Sequence, residues 1–178
     1  MGVSFRGFEY DPLTLSFHST FILILVKSLR VFCIFVTMTK SMKKVLVFGT
    51  FDGLHEGHKN FFKQAKEFGD HLIAVVGRDS TIVKAKGRLP KFGEQERLKA
   101  LQECGMVDEA RLGNENMSPY IVIKEINPDV ICLGYDQTHF TDKLAAALKE
   151  MGLGHVKIER LKAFEPEKYH SSLLNKDL

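Results

Sequence analysis

Within FGTFDGLHEGHKNFF, residues 48–62, His55 and His58 flank Gly57. An imidazole donates a hydrogen bond in either of the protonation states it adopts near neutral pH. Two of them on one turn can therefore grip the same anion. Gly49 and Gly57 let backbone come close to such an anion, and the start of a helix behind them would add unpaired N–H groups and a partial positive charge. The chemistry indicated is phosphate binding. Zinc fits less well, because metal-binding histidines on one helix face favour an i, i+4 spacing and no third ligand is near. Capping and packing by two unrelated histidines is the bland alternative.

Such a site needs a strand before it and a helix behind it. KKVLVFGT is a short continuous apolar run ended by glycine, which predicts a strand buried on both faces. From Gly57 to Phe68, the residues Phe61, Phe62, Ala65 and Phe68 recur at helical spacing, with Gly69 as a stop. HLIAVVG (71–77) is the second expected strand, VDEARLG the third, DVICLG (129–134) the fourth and HVKIERL the fifth. Helices are expected at 92–104, with Leu98, Ala100 and Leu101 facing inward, at SPYIVIKEI with Pro119 in its first turn, and at DKLAAALKEMG. The segment 78–91 reads as a loop. Strands alternating with helices predict an α/β fold: a Rossmann-like, doubly wound, five-stranded parallel sheet in three α/β/α layers. Ligands in such sheets bind beyond the carboxyl ends of the strands. Gly134, Tyr135 and Asp136 follow the fourth strand, so they should line that crevice, unless they form only a strand-ending turn.

Composition excludes several classes. The net charge is +3, but Arg6, Lys27, Arg30 and Lys40 outnumber Glu9 and Asp11 within residues 1–41, so the body is near neutral and no nucleic-acid surface is expected. Cys33, Cys104 and Cys132 are odd in number and widely spaced, which suits a reducing cytoplasm rather than a disulfide framework. The apolar run 21–37 carries Lys27 and Arg30 near its middle, each costing about 2.5 to 3.5 kcal/mol at a bilayer centre, so no membrane span is expected. Residues 1–41 are read as an extension outside the fold, from a mis-assigned start or a poorly ordered segment, and 42–178 as one domain.

With these motifs in place, the chain resembles the nucleotidyltransferases of the cytidylyltransferase-like superfamily. Their G-x-F-D-x-x-H-x-G-H signature is matched by Gly49, Phe51, Asp52, His55, Gly57 and His58. The similarity runs from about residue 43 to 174, through DSTIVKAKGRLP, EQERLKAL and INPDVICLGYDQ. It is greatest to archaeal-type FAD synthases, which transfer AMP from ATP to FMN, and next to glycerol-3-phosphate cytidylyltransferases.

The resemblance implies an enzyme in which an acceptor phosphate attacks the α-phosphorus of a nucleoside triphosphate and pyrophosphate leaves. His55 and His58 would hold the α-phosphoryl oxygens, Lys84 or Lys86 would reach the phosphates, and Arg97 would take the β- and γ-phosphates. Gly49, Thr50, Phe51, Asp52 and Gly57 would shape the nucleotide-binding turn, with Gly134, Tyr135 and Asp136 on the nucleotide side. Ser171 and Ser172 match an I-S-[ST]-T element that binds triphosphate, although His170 and Leu173 depart from it. Magnesium would arrive with the triphosphate, Asp52 either helping to hold it or structuring the loop. The expected partners are ATP and FMN, with a homodimer possible. A CTP-dependent enzyme for a polyol phosphate, a pantetheine-phosphate adenylyltransferase and a non-catalytic nucleotide-binding module are the alternatives.

Overall fold

A computed structural model of the protein describes residues 41–115, 118–138, 141–165 and 167–168. Five strands, β1 (Lys44–Gly49), β2 (His71–Val76), β3 (Glu109–Leu112), β4 (Val130–Leu133) and β5 (Lys157–Arg160), form one sheet in the order β3-β2-β1-β4-β5. Every pairing is parallel. The chain runs outward from β1 to β3 on one side, then returns to start β4 on the other, so the connections diverge between β1 and β4. That divergence opens a crevice at the carboxyl ends of these two strands.

Both faces of the sheet are covered, as the continuous apolar runs require. Leu46 and Phe48 of β1 join Ile73, Val75, Ile131 and Leu133 under helices α4 (Pro119–Ile126) and α5 (Leu144–Glu150). Val45 and Val47 point the other way and pack with Phe62, Ala65 and Leu101 of helices α1 (Glu56–Lys66) and α3 (Glu94–Glu103). The result is the three-layer α/β/α arrangement expected. No helix among the described residues is long and apolar enough to cross a membrane.

Local chemistry sets the element ends. Pro119 opens α4 behind Ser118, whose Oγ accepts from the Tyr120 N–H, and Asn127 closes it in the left-handed region ahead of Pro128. At the amino ends of the strands, aspartates replace missing ladder partners. Asp70 accepts from the Lys43 N–H, Asp129 from Lys44 at 2.7 Å and Asp108 from Leu72 at 2.8 Å.

Two expectations are corrected. Residues 78–91 are not all loop, since Asp79–Lys86 form helix α2, closed by Gly87 whose N–H reaches the Val83 carbonyl. Ala100 is exposed rather than inward, and the buried positions of α3 are Arg97 and Leu101. Gly69 also does something other than stop a helix. A methyl group there would lie 2.5 Å from the Lys43 carbonyl oxygen and 2.7 Å from Val45 Cγ2. Gly69→Ala should therefore lower stability by about 1–3 kcal/mol, the usual range for overpacking. Urea denaturation checks this, and the site at the opposite end of the sheet should keep its function in the folded fraction.

Candidate functional site

The turn from β1 to α1 is built on Phe51. This residue has φ of 52°, uncommon for a side chain of its size, and its ring is only 3% exposed. The ring lies over Gly49, where an added Cβ would meet Phe51 Cζ at 2.6 Å, so only glycine fits beneath it. It meets the His58 ring edge-on at 5.5 Å and the Phe62 ring at 5.4 Å. Asp52 fastens the next step of the turn, accepting the Lys91 N–H at 2.9 Å and the Phe92 N–H at 3.0 Å. That is a loop-structuring role.

His55 occupies the N-cap position of α1, yet its side chain makes no capping hydrogen bond. The two imidazoles instead pack on each other, with centroids 3.9 Å apart and planes inclined by 33°. Both line one cleft of about 570 Å³ at the carboxyl ends of the strands. Burial, then the neighbouring His55, push the His58 pKa down to about 4, against a smaller opposing effect of its hydrogen bond to the Gly53 backbone. His58 is thus a neutral imidazole at pH 7. Its Nδ1 is buried with no hydrogen-bond partner among the described residues, which leaves it to a ligand.

Arg97 stands elsewhere than expected. Its guanidinium is fully enclosed and faces backbone, not the cleft. Nη1 donates to the Thr50 carbonyl at 2.6 Å, Nη2 to the Gly77 carbonyl at 2.9 Å and to Asp79 Oδ1, and Nε to the Phe92 carbonyl at 3.0 Å. Four segments at the rim are held by one side chain. Four of its five N–H groups are spent on backbone and Asp79, and Arg97 is not among the residues lining the cleft, where contact with the β- and γ-phosphates was expected. Glu94 takes Arg78 Nη1 at 2.7 Å and the Asp79 N–H at 3.0 Å, and its carboxyl is held below the usual range first by that backbone N–H.

Of the two loop lysines, Lys86 lines the cleft and donates to Thr50 Oγ1 at 3.0 Å, whereas Lys84 lies on the exposed side of α2 away from the lining. On the β4 side, Gly134, Tyr135 and Asp136 all line the cleft. Arg160 at the end of β5 organises their turn, its Nη1 donating to the carbonyls of Gly134 at 2.8 Å and Gln137 at 3.0 Å. Burial, then Asp136, push the Tyr135 phenol up, so it stays protonated. Ser171 and Ser172 lie outside the described residues.

Arg78, Thr81, Asn114 and Lys162 also line the cleft and escaped the sequence reading. Each directly follows, or lies within a few residues of, the carboxyl end of a strand, which is the signal that would have found them. No group of three or more His, Cys, Asp or Glu among the described residues could hold a metal ion. A divalent cation would therefore take most of its ligands from a bound polyphosphate, and Asp136 is the carboxylate on the described cleft lining.

The comparisons with known proteins agree with this fold. The family model described as Cytidylyltransferase-like matches residues 46–176. A FAD synthase of Methanobrevibacter smithii is 46% identical over 134 residues, covering 74% of this chain and 86% of that one. A FAD synthase of Thermoplasma volcanium is 39% identical over 137 residues, covering 77% and 94%. A solved structure described as the lipopolysaccharide core biosynthesis protein from Thermoplasma volcanium GSS1 superposes with a TM-score of 0.65 at 38% identity, over 70% of this chain and 100% of that one. A protein of unknown function from Archaeoglobus fulgidus shares the fold alone, with a TM-score of 0.54 at 19% identity over 67% and 89% of the two chains.

Two measurements check the site. Arg97→Met leaves Asp79 and three carbonyls without their cation, and should cost about 3–5 kcal/mol in denaturant unfolding, as breaking a buried pair does. The lowered pKa of His58 means that the unfolded chain binds a proton more readily than the folded one between about pH 6.5 and 4. Its contribution to stability is complete above pH 6.5 and is lost as pH falls toward 4. A His58→Gln variant should show a shallower loss of stability over that window.

Proposed function

The chain belongs to the cytidylyltransferase-like family and is a nucleotidyltransferase, and from that premise we propose that it transfers AMP from ATP to FMN. A phosphate oxygen of FMN attacks the α-phosphorus of ATP. A P–O bond forms there as the bond to the β-phosphate breaks, and pyrophosphate leaves. No covalent bond to the protein is needed, so the work of the chain is alignment and charge stabilisation.

The observation that carries this reading is the stacked imidazole pair on the cleft wall, with His58 Nδ1 buried and unmatched by any described residue. His55 donates to the α-phosphoryl oxygens as negative charge builds on them, and His58 does so through Nδ1 once the bound phosphate has drawn a proton onto it, its other ring nitrogen being held by the Gly53 backbone. The first turn of α1 adds its N–H groups and dipole from the same side. Lys86, reaching across from α2 to Thr50, sits where it meets the phosphates. Arg97 acts one step back, as a positioning residue that fixes the backbone of the turn.

Adenylyl transfer to a flavin, rather than another acceptor, is supported by the relatives named FAD synthase. It is supported also by the character of the cleft toward β2 and β3. There Val75, Ile82, Pro119 and Val122 offer apolar walls to a flat ring system, with Arg78 and Asn114 as the polar groups. Tyr135, on the β4 side and 39% exposed, is placed to stack on the adenine. Magnesium bound with the triphosphate would supply charge neutralisation there. A cytoplasmic location suits the cysteines Cys104 and Cys132, both free.

Pyrophosphate release from ATP and CTP, each offered with FMN and with glycerol 3-phosphate, tests the reading. ATP with FMN should be fastest, with FAD as product; a faster reaction of CTP with glycerol 3-phosphate would replace the substrates and keep the chemistry. Release from none of the four would contradict catalysis. His58→Ala, shown folded by circular dichroism, should lose on the order of 100- to 1,000-fold in turnover, the usual cost of one transition-state donor.

A further inference from the structure

The chain leaving β5 is held against α1 by a two-point amide contact. Gln64 sits two turns into α1 from the histidine pair, and its side-chain amide binds the Lys162 backbone at two points. Nε2 donates to the Lys162 carbonyl at 3.1 Å, and the Lys162 N–H donates to Oε1 at 3.0 Å. The other Nε2 hydrogen goes to Asn60 Oδ1 at 2.6 Å, one turn back along the same helix, which fixes the direction of the amide. Leu161 is 5% exposed and packs into the core on the α1 side, its N–H bonded to the Leu133 carbonyl. In extended chain the next side chain points the opposite way, and Lys162 lines the cleft together with His55 and His58.

The charges on that cleft are not equivalent. Arg78 is occupied by Glu94 and Glu115, and Lys86 by the Thr50 hydroxyl. Lys162 has no carboxylate within ion-pairing distance among the described residues. It is thus a cation delivered to the wall of an anion-binding cleft by a dedicated backbone clamp.

We propose that Lys162 is a further triphosphate-binding residue and that Gln64 is the positioning residue that holds it at the cleft. The proposal rests on the reading of the cleft as a triphosphate site, but not on the base or the acceptor. Because Gln64 and the histidines share α1, the helix sets the distance between the group that binds the polyphosphate tail and the groups at the α-phosphorus.

Inorganic tripolyphosphate carries no base and is the probe, its affinity for the full chain measured by calorimetry with thermal stability recorded in parallel. Lys162→Gln should weaken binding about tenfold, the scale of one hydrogen bond to a charged group, and Lys162→Arg should restore most of it. Lys99→Gln, on an exposed stretch of α3, should change nothing. Gln64→Ala should weaken binding several-fold. Combined with Lys162→Gln it should add little, because the clamp matters only through the charge it places. Unchanged binding by Lys162→Gln overturns the proposal. Additive losses in the double variant overturn the role of Gln64, since a merely structural contact would act independently of the lysine. FAD formation by the same proteins is read separately. Its absence, with the tripolyphosphate pattern intact, would remove FMN adenylylation and leave Lys162 in place. Failure of the unmodified chain to bind tripolyphosphate would overturn both.

Discussion

The cleft depends on one enclosed cation. Arg97 gathers carbonyls from the β1–α1 turn, the end of β2 and the segment before α3, and balances its charge on Asp79 at the start of α2. Placing a guanidinium out of water costs several kcal/mol unless every donor finds an acceptor of good geometry. The three carbonyls and the carboxylate take four of its five N–H groups and engage all three nitrogens, and in return the loops that form the rim cannot move independently. A turn held this way is fixed before any ligand arrives, and in the proposed reaction, which needs no covalent intermediate, such alignment is the source of rate.

The same division of labour runs through the molecule. At the amino ends of the strands, Asp70, Asp108 and Asp129 terminate the ladder with their carboxylates. At the carboxyl ends, where β1 and β4 part, the cations Lys86, Arg78 and Lys162 and the two imidazoles outnumber the one carboxylate of the described lining, Asp136. Acid at one end and base at the other leave a near-neutral chain with a cleft suited to an anion. The neutral state of His58 fits this design, because an enclosed imidazolium beside His55 would repel its neighbour until a phosphate arrived.

Much of this was legible in the residues. Strands buried on both faces announce themselves as unbroken apolar runs, and β1, β2 and β4 fall where KKVLVFGT, HLIAVVG and DVICLG place them. The place of the histidine turn, between a strand and a helix at the carboxyl edge of the sheet, was legible because an apolar run ended by glycine precedes it and a helical pattern follows it. Helix α2 was not, since Ile82 is its single buried residue and so small a buried face leaves no periodic stripe. Arg97 was misplaced for a related reason. Periodicity assigns charged residues to the solvent face, so Ala100, three residues further on, was given the inward place that Arg97 takes. Nothing in a one-dimensional pattern reveals that three backbone carbonyls converge on a helix from distant segments. Lys162 and Gln64 were overlooked likewise, because their contact spans 98 residues.

In the function proposed for the chain, the paired imidazoles hold the phosphorus atom at which transfer occurs. A crystal structure of the chain with a non-hydrolysable ATP analogue tests it most directly. The account places an α-phosphoryl oxygen about 2.7–3.1 Å from a ring nitrogen of His55 and of His58. An analogue bound with its α-phosphorus beyond reach of both rings would contradict it.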